Sequence, residues 1–157
     1  MGLFEKWRNR GKRTQELAGP KVIDIDLLVH PFWDAVGTGQ LSISNLEFMS
    51  SLWKDRITRI AGAGRKMVIV AGQYSGDKRA AYQKELIKFA KKKLGKKNLL
   101  VYSNWLPIVP LKIKKHIEKL VGTNNLENRL RVHSYGEYNN KCVFAICELL
   151  GAEAPSV

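Results

Sequence analysis

A chain of 157 residues with 45% hydrophobic and 26% charged residues has the size and composition of one folded domain, which excludes wholesale disorder. The charge balance stands apart: 27 Lys and Arg against 14 Asp and Glu leave +13. Such a surplus favours anionic partners (nucleic acid, phosphorylated metabolites or an acidic membrane surface), although a solvated lysine-rich surface with no partner accounts for it equally.

No segment approaches the roughly 18 apolar residues of a membrane span, and the basic N-terminus has no apolar core of signal-peptide length behind it. Cys142 and Cys147 lie five apart on one expected helix. At about 100° per residue they point roughly 140° apart and do not bridge. Without a disulfide framework the chain suits a reducing compartment, and the expectation is a soluble cytoplasmic protein.

Residues 1–20 form a basic amphipathic segment, with Lys6, Arg8, Arg10, Lys12 and Arg13 against Glu5 and Glu16, and with Leu3, Phe4 and Trp7 at helical spacing. It would dock its apolar edge on the domain, fray, or serve as a nucleic-acid arm or membrane-surface anchor. After the Gly19-Pro20 breaker, KVIDIDLLVHPF reads as the first strand, with Ile23, Ile25, Leu27 and Val29 on one face and Asp24 and Asp26 on the other. Two acids on a half-buried strand point to a sheet edge, or to a face partly open to solvent. A loop through Trp33, Asp34, Gly37 and Gly39 leads to a helical stripe of Leu46, Met49, Leu52, Trp53, Ile57 and Ile60. Ser44 and Glu47 have capping-box spacing at its start, and Gly62 and Gly64 stop it.

MVIVA, residues 67–71, is a continuous apolar run, as expected of a strand covered on both faces. It leads through GQYSG into a helix over residues 77–94 whose inward stripe is Tyr82, Leu86, Phe89, Ala90 and Leu94. KNLLVYSNW supplies a third strand. Residues 111–121 form a helix with Leu111, Ile113, Ile117 and Leu120 inward, LRVHSYG is the fourth strand, and KCVFAICELLG is a final, largely buried helix. Strand and helix alternate at lengths that suit parallel crossovers. The expected fold is α/β: a single three-layer Rossmann-like or flavodoxin-like domain over residues 21–152, with a mostly parallel sheet of about four strands and a frayed tail at 153–157.

In open parallel sheets, ligands bind beyond the carboxyl ends of the strands. Those ends carry His30-Pro31-Phe32-Trp33-Asp34, Gly72-Gln73-Tyr74-Ser75-Gly76, Ser103-Asn104-Trp105 and Gly136-Glu137-Tyr138-Asn139-Asn140. GQYSGDKR precedes a helix, so its free backbone donors, with Ser75, Lys78 and Arg79, suit an anion. Its spacing is neither that of a P-loop nor that of the dinucleotide fingerprint. The candidate catalytic groups are His30, Asp34, Glu137 and Cys142, joined by Ser75 and Asn104. Cys142 falls in the first turn of the final helix beside Lys141, where a thiol's pKa is lowered; a small buried cysteine is its plainer reading. His30, His116, His133 and the cysteines form no tight ligand pair, so no metal or cofactor is expected; His30 with Asp34 is the place a metal would use.

The stretch GEYNNKCVFAICELLG resembles the Gly-to-Cys-Val turn of isochorismatase-like cysteine hydrolases. That resemblance implies a nucleophilic cysteine at Cys142, an early acid at Asp24 or Asp26, and a lysine for which no residue is well placed. Asp24-Ile25-Asp26 and LLVYSN are similar to the first motif and the Ser/Thr-ending strand of haloacid-dehalogenase-like phosphatases, which implies magnesium held by the acids of a last motif. Leu27-Leu28-Val29 continue the strand where that family turns, and Gly136-Glu137 supplies one acid. Neither resemblance covers enough of the chain to assign a family.

Positive charge is clustered: +7 over residues 77–97, +4 over 54–66 and +3 over 112–119. The leading expectation is therefore a binding module for nucleic acid or another polyanion. Lys84, Lys88, Lys91, Lys92, Lys93, Lys96 and Lys97 would neutralise phosphates, and Trp33, Tyr74, Trp105, Tyr135 or Tyr138 would stack on bases if exposed. The alternatives are a hydrolase or transferase acting on a phosphorylated or nucleotide substrate at the strand-end loops, and an adaptor or assembly subunit whose basic face meets an acidic protein.

Overall fold

The computed structural model describes residues 22–32, 42–74, 76–103, 110–122 and 130–136. Seven elements follow along them: β1 (Ile23–Val29), α1 (Ile43–Gly62), β2 (Lys66–Val70), α2 (Lys78–Leu94), β3 (Leu99–Tyr102), α3 (Pro110–Val121) and β4 (Leu130–Gly136). The four strands make one parallel sheet in the order β3-β2-β1-β4. The layout is that of a Rossmann-like or flavodoxin-like α/β domain.

Strand order explains the layers. From β1 to β3 the chain steps in one direction, then it turns back past β1 to place β4. Parallel crossovers are right-handed, so this reversal sends α1 and α2 to one face and α3 to the other. The core divides accordingly. Leu28, Met67, Ile69 and Leu99 pack with Trp53, Ile57 and Ile60 of α1 and with Leu86, Ala90 and Leu94 of α2. Ile25, Leu27, Val29, Val68 and Val70 pack with Ile117 of α3. Alternate residues of β2 thus feed opposite layers, which is why its sequence is an apolar run rather than an alternation.

The two aspartates of β1 do share the face opposite Ile25 and Leu27, but β1 is not an edge strand. It lies between β2 and β4, with Asp26 level with Met67 on one side and His133 on the other. Asp26 is fully buried. A central strand tolerates this acid because Arg65 and Tyr135 reach it from the neighbouring segments.

The ends of α1 also differ from the expected ones. Ser42, not Ser44, is its N-cap: its hydroxyl accepts from the Asn45 N–H and its carbonyl from that of Leu46. Ser44 shares a hydrogen bond with the Ser42 hydroxyl instead. Leu52, placed on the inward stripe by its spacing, is exposed. Trp53 next to it is buried, and its indole N–H donates to the Pro31 carbonyl at 2.6 Å, tying α1 to the end of β1. Beyond Ala63, Gly64 takes the left-handed conformation (φ 64°) that closes the helix. Among the described residues no helix is long and apolar enough to cross a membrane. The N-terminal segment, Asp34, the helix expected over KCVFAICELLG and the tail expected at 153–157 lie outside the described residues.

Candidate polyanion-binding site on α2

α2 begins at Asp77, whose carboxylate accepts from the Arg79 amide at 2.6 Å and pairs with the Arg79 guanidinium. The side-chain hydrogen bond from Arg79 holds this carboxyl below its usual range. The helix KRAAYQKELIKFAKKKL is built of strong helix formers, and Lys91, Lys92 and Lys93 sit in its last turn against the negative end of its dipole.

Three faces follow from the spacing. Leu86, Ala90 and Leu94 are buried on the sheet. Phe89 turns towards α1, where Lys54 and Lys93 lie 6.0 and 5.7 Å from its ring centre and Lys54 pairs with Glu85. The remaining flank carries Lys84, Lys88 and Lys91 within about 60° of one another. All three are exposed, as are Lys92, Lys96 and Lys97, and among the described residues none of the six has an ion pair.

Beside this lysine flank runs a groove of about 440 Å³, lined by Ala71, Ala80, Gln83, Lys84, Ile87, Lys88, Lys91 and Ser103. Its lining comes from the end of β2, three turns of α2 and the residue after β3. One wall is fixed by Gln83. Its amide oxygen accepts from the Gly72 N–H at 2.7 Å, and its amide N–H donates to the Gly72 carbonyl at 2.9 Å. The side chain thus satisfies this backbone unit as a neighbouring strand would. Gly72 itself is required by a close approach, because a Cβ there would fall 2.4 Å from the Tyr74 ring.

Tyr74 is consequently not a stacking platform for a ligand. It is buried, Arg79 lies 4.8 Å from its ring centre, and its hydroxyl accepts from the Phe32 N–H. Tyr135 is half-buried beneath Arg56, at 4.3 Å. His30 ends β1 in a left-handed conformation (φ 46°), buried, its N–H donating to the Val70 carbonyl. Burial pushes its imidazole pKa down, so the ring is neutral at neutral pH. Of the expected anion ligands, Lys78 is exposed and Arg79 is engaged with Asp77. Ser75, Asp34, Asn104, Glu137 and Cys142 lie outside the described residues, as do Trp33, Trp105 and Tyr138.

A second cluster forms on the α1 side of β1 and β4. Arg65 reaches Asp26 at 3.1 Å and the Tyr135 hydroxyl donates to the same oxygen at 2.9 Å. Asp26 Oδ2 and Arg65 Nε are buried without a hydrogen-bond partner among the described residues. Burial raises the Asp26 pKa, a push that Tyr135 and Arg65 only partly offset. Asp24, less buried, holds His133 Nε2 at 2.9 Å and lies 3.7 Å from Arg131. On the opposite face, the Tyr102 hydroxyl and His116 Nδ1 share a hydrogen bond. Among the described residues no three of His, Cys, Asp and Glu gather into a metal-ligand set. The Asp24-Ile25-Asp26 motif lies within β1 rather than at its carboxyl end, away from where a strand-end phosphatase aspartate would act.

Sequence reasoning found the lysines but neither the groove nor the Asp26 cluster. Strand parity carried a signal for the cluster: Asp24 and Asp26 alternate on β1 as Arg131, His133 and Tyr135 do on β4, and pairing the two strands brings the sets together. No protein-family model matches the chain, and no curated protein or solved structure matches it either.

Proposed function

We propose that this protein is a binding module for nucleic acid or another polyanion, engaged through the outer flank of α2. The observation that carries the reading is the row of exposed lysines, Lys84, Lys88 and Lys91, which have no ion pair among the described residues. Over this row phosphates would replace condensed counterions, an interaction whose strength falls steeply with salt. The reading is tested by fluorescence anisotropy with labelled single-stranded RNA, duplex RNA and duplex DNA across a salt series. Sub-micromolar affinity for one of them that persists near about 150 mM salt is the expected result. Weak binding to all three that vanishes by that salt would reduce the lysines to a solvated surface.

A second reading, a hydrolase or transferase acting on a phosphorylated or nucleotide substrate, draws on the opening of the groove beside Ala71 and Ser103 at the carboxyl ends of β2 and β3. It requires release of phosphate or transfer of a phosphoryl group when the protein is incubated with nucleotides. Loss of any such turnover on substituting Ser103 would support it.

A further inference from the structure

The lysine row alone would serve any polyanion equally, since a duplex, heparin or polyphosphate each offers it charge. The surface beside the row is of another kind. Ala71, Ala80 and Ile87 give the groove an apolar floor, the hydroxyl of exposed Ser103 stands at its strand end, and Lys84, Lys88 and Lys91 edge it. At about 440 Å³ it falls within the roughly 300–1,000 Å³ typical of small-molecule sites. From Ala80 to Lys91 it extends about 16 Å along α2. Its wall is preformed, because both polar groups of the Gln83 amide are held by Gly72.

An apolar floor contributes to binding only if the ligand offers an apolar or π face to cover it. The bases of a duplex are stacked and paired within it, and sulfated or phosphorylated polymers without bases have no such face. An unstacked base joined to a phosphate offers both parts at once. We propose that this groove seats a single nucleotide unit, free or carried in a single strand, with its base over Ala71, Ala80 and Ile87 and its phosphate on Lys84, Lys88 and Lys91. The proposal rests on the polyanion-binding reading and narrows it, from charge alone to a nucleoside phosphate whose base is unpaired.

The test uses the full chain and four probes at matched salt: a labelled single-stranded oligonucleotide, the duplex of the same sequence, heparin, and ATP as an unlabelled competitor. Two substitutions fill the groove from different elements without altering charge, Ala80→Leu from α2 and Ser103→Leu from the end of β3; thermal melting checks that each variant folds. The expected result is single-strand affinity about tenfold above duplex affinity, the size of one lost base-stacking contact. ATP competes, and either filling substitution removes the difference while heparin binding stays unchanged. Equal affinity for single strand, duplex and heparin overturns the proposal and leaves the polyanion module standing. So does a single-strand affinity that neither substitution changes. Binding of ATP without any polynucleotide upholds the groove and sinks the nucleic-acid reading. Binding of none of the four probes overturns both.

Discussion

Two basic regions that look alike in sequence play different parts in the fold. Residues 54–66 carry +4 and residues 77–97 carry +7. In the first, Lys54 pairs with Glu85, Arg59 with Asp55 and Arg65 with Asp26, and Arg56 covers Tyr135. Lys54, Arg56 and Arg65 tie α1 and the segment after it to α2, β4 and β1, while the Arg59–Asp55 pair lies within α1. In the second, Arg79 is joined to Asp77 and Lys93 leans on Phe89, while Lys84, Lys88, Lys91, Lys92, Lys96 and Lys97 face solvent. Local charge density is therefore a poor measure of a binding surface until internal partners are subtracted, because a paired cation has little left to offer a phosphate.

The contrast can be broken most forcefully at Arg65. Arg65→Met leaves the Asp26 carboxylate buried without its cation and should cost about 3 kcal/mol of stability in urea unfolding, since removing one partner strands the other in a poor solvent for charge. Polyanion affinity of the folded fraction should not move. A double variant, Arg65→Met with Asp26→Leu, should recover much of the loss because no buried charge remains. The converse change, Lys84→Glu with Lys88→Glu and Lys91→Glu, should lower polyanion affinity on the order of a hundredfold and flatten its salt dependence. Its melting temperature should stay close to that of the parent. If charge reversal unfolds the protein, or if Arg65→Met abolishes binding, the division of labour between the two regions is wrong.

A subtler separation uses pH. The Asp26 pKa is raised in the folded protein, so between the unfolded and folded values the folded state holds the extra proton. Stability from this group is full below the unfolded value and is lost as pH rises through the folded one. Asp26→Asn should remove that acid-side slope from a series of unfolding curves. His30 has the opposite sign: its lowered pKa gives stability present above the unfolded value and lost as pH falls. An Asp26→Asn protein should therefore show a stability profile that only rises with pH across the acid-to-neutral range. The smallest effect belongs to Lys54→Met. Glu85 is exposed and Lys54 only partly buried, so loss of the pair should cost about 0.5 kcal/mol and leave binding unchanged.

The elements themselves were legible because each carries a period. The run of β2, the stripe of Leu86, Ala90 and Leu94, and the bounds of β4 all emerge in the structure close to where the pattern puts them. Strand order is not written in any one segment. The two acids of β1 suggested an edge because the partners that make a central position tolerable, Arg65 and Tyr135, lie 39 and 109 residues away. Ser42 displaced Ser44 as the cap of α1 by a shift of two residues, within the ordinary slack of helix ends. The lysines of α2 could be numbered from the sequence. The groove beside them could not, since Ala71, Ala80 and Ser103 become neighbours only once β2, α2 and β3 have packed.

The placement of β4 beside β1 has a bearing on how the chain acquires its shape. The contacts that shelter Asp24 and Asp26 join residues 109 positions apart, whereas β1, β2 and β3 pair in successive steps. Closing so long a loop is entropically slow, so that side of the sheet should assemble last. Until it does, β1 presents an unpaired edge, a template for pairing with another chain. Aggregation of a nascent or truncated chain should accordingly begin at β1, and a soluble peptide of the β4 sequence should suppress it.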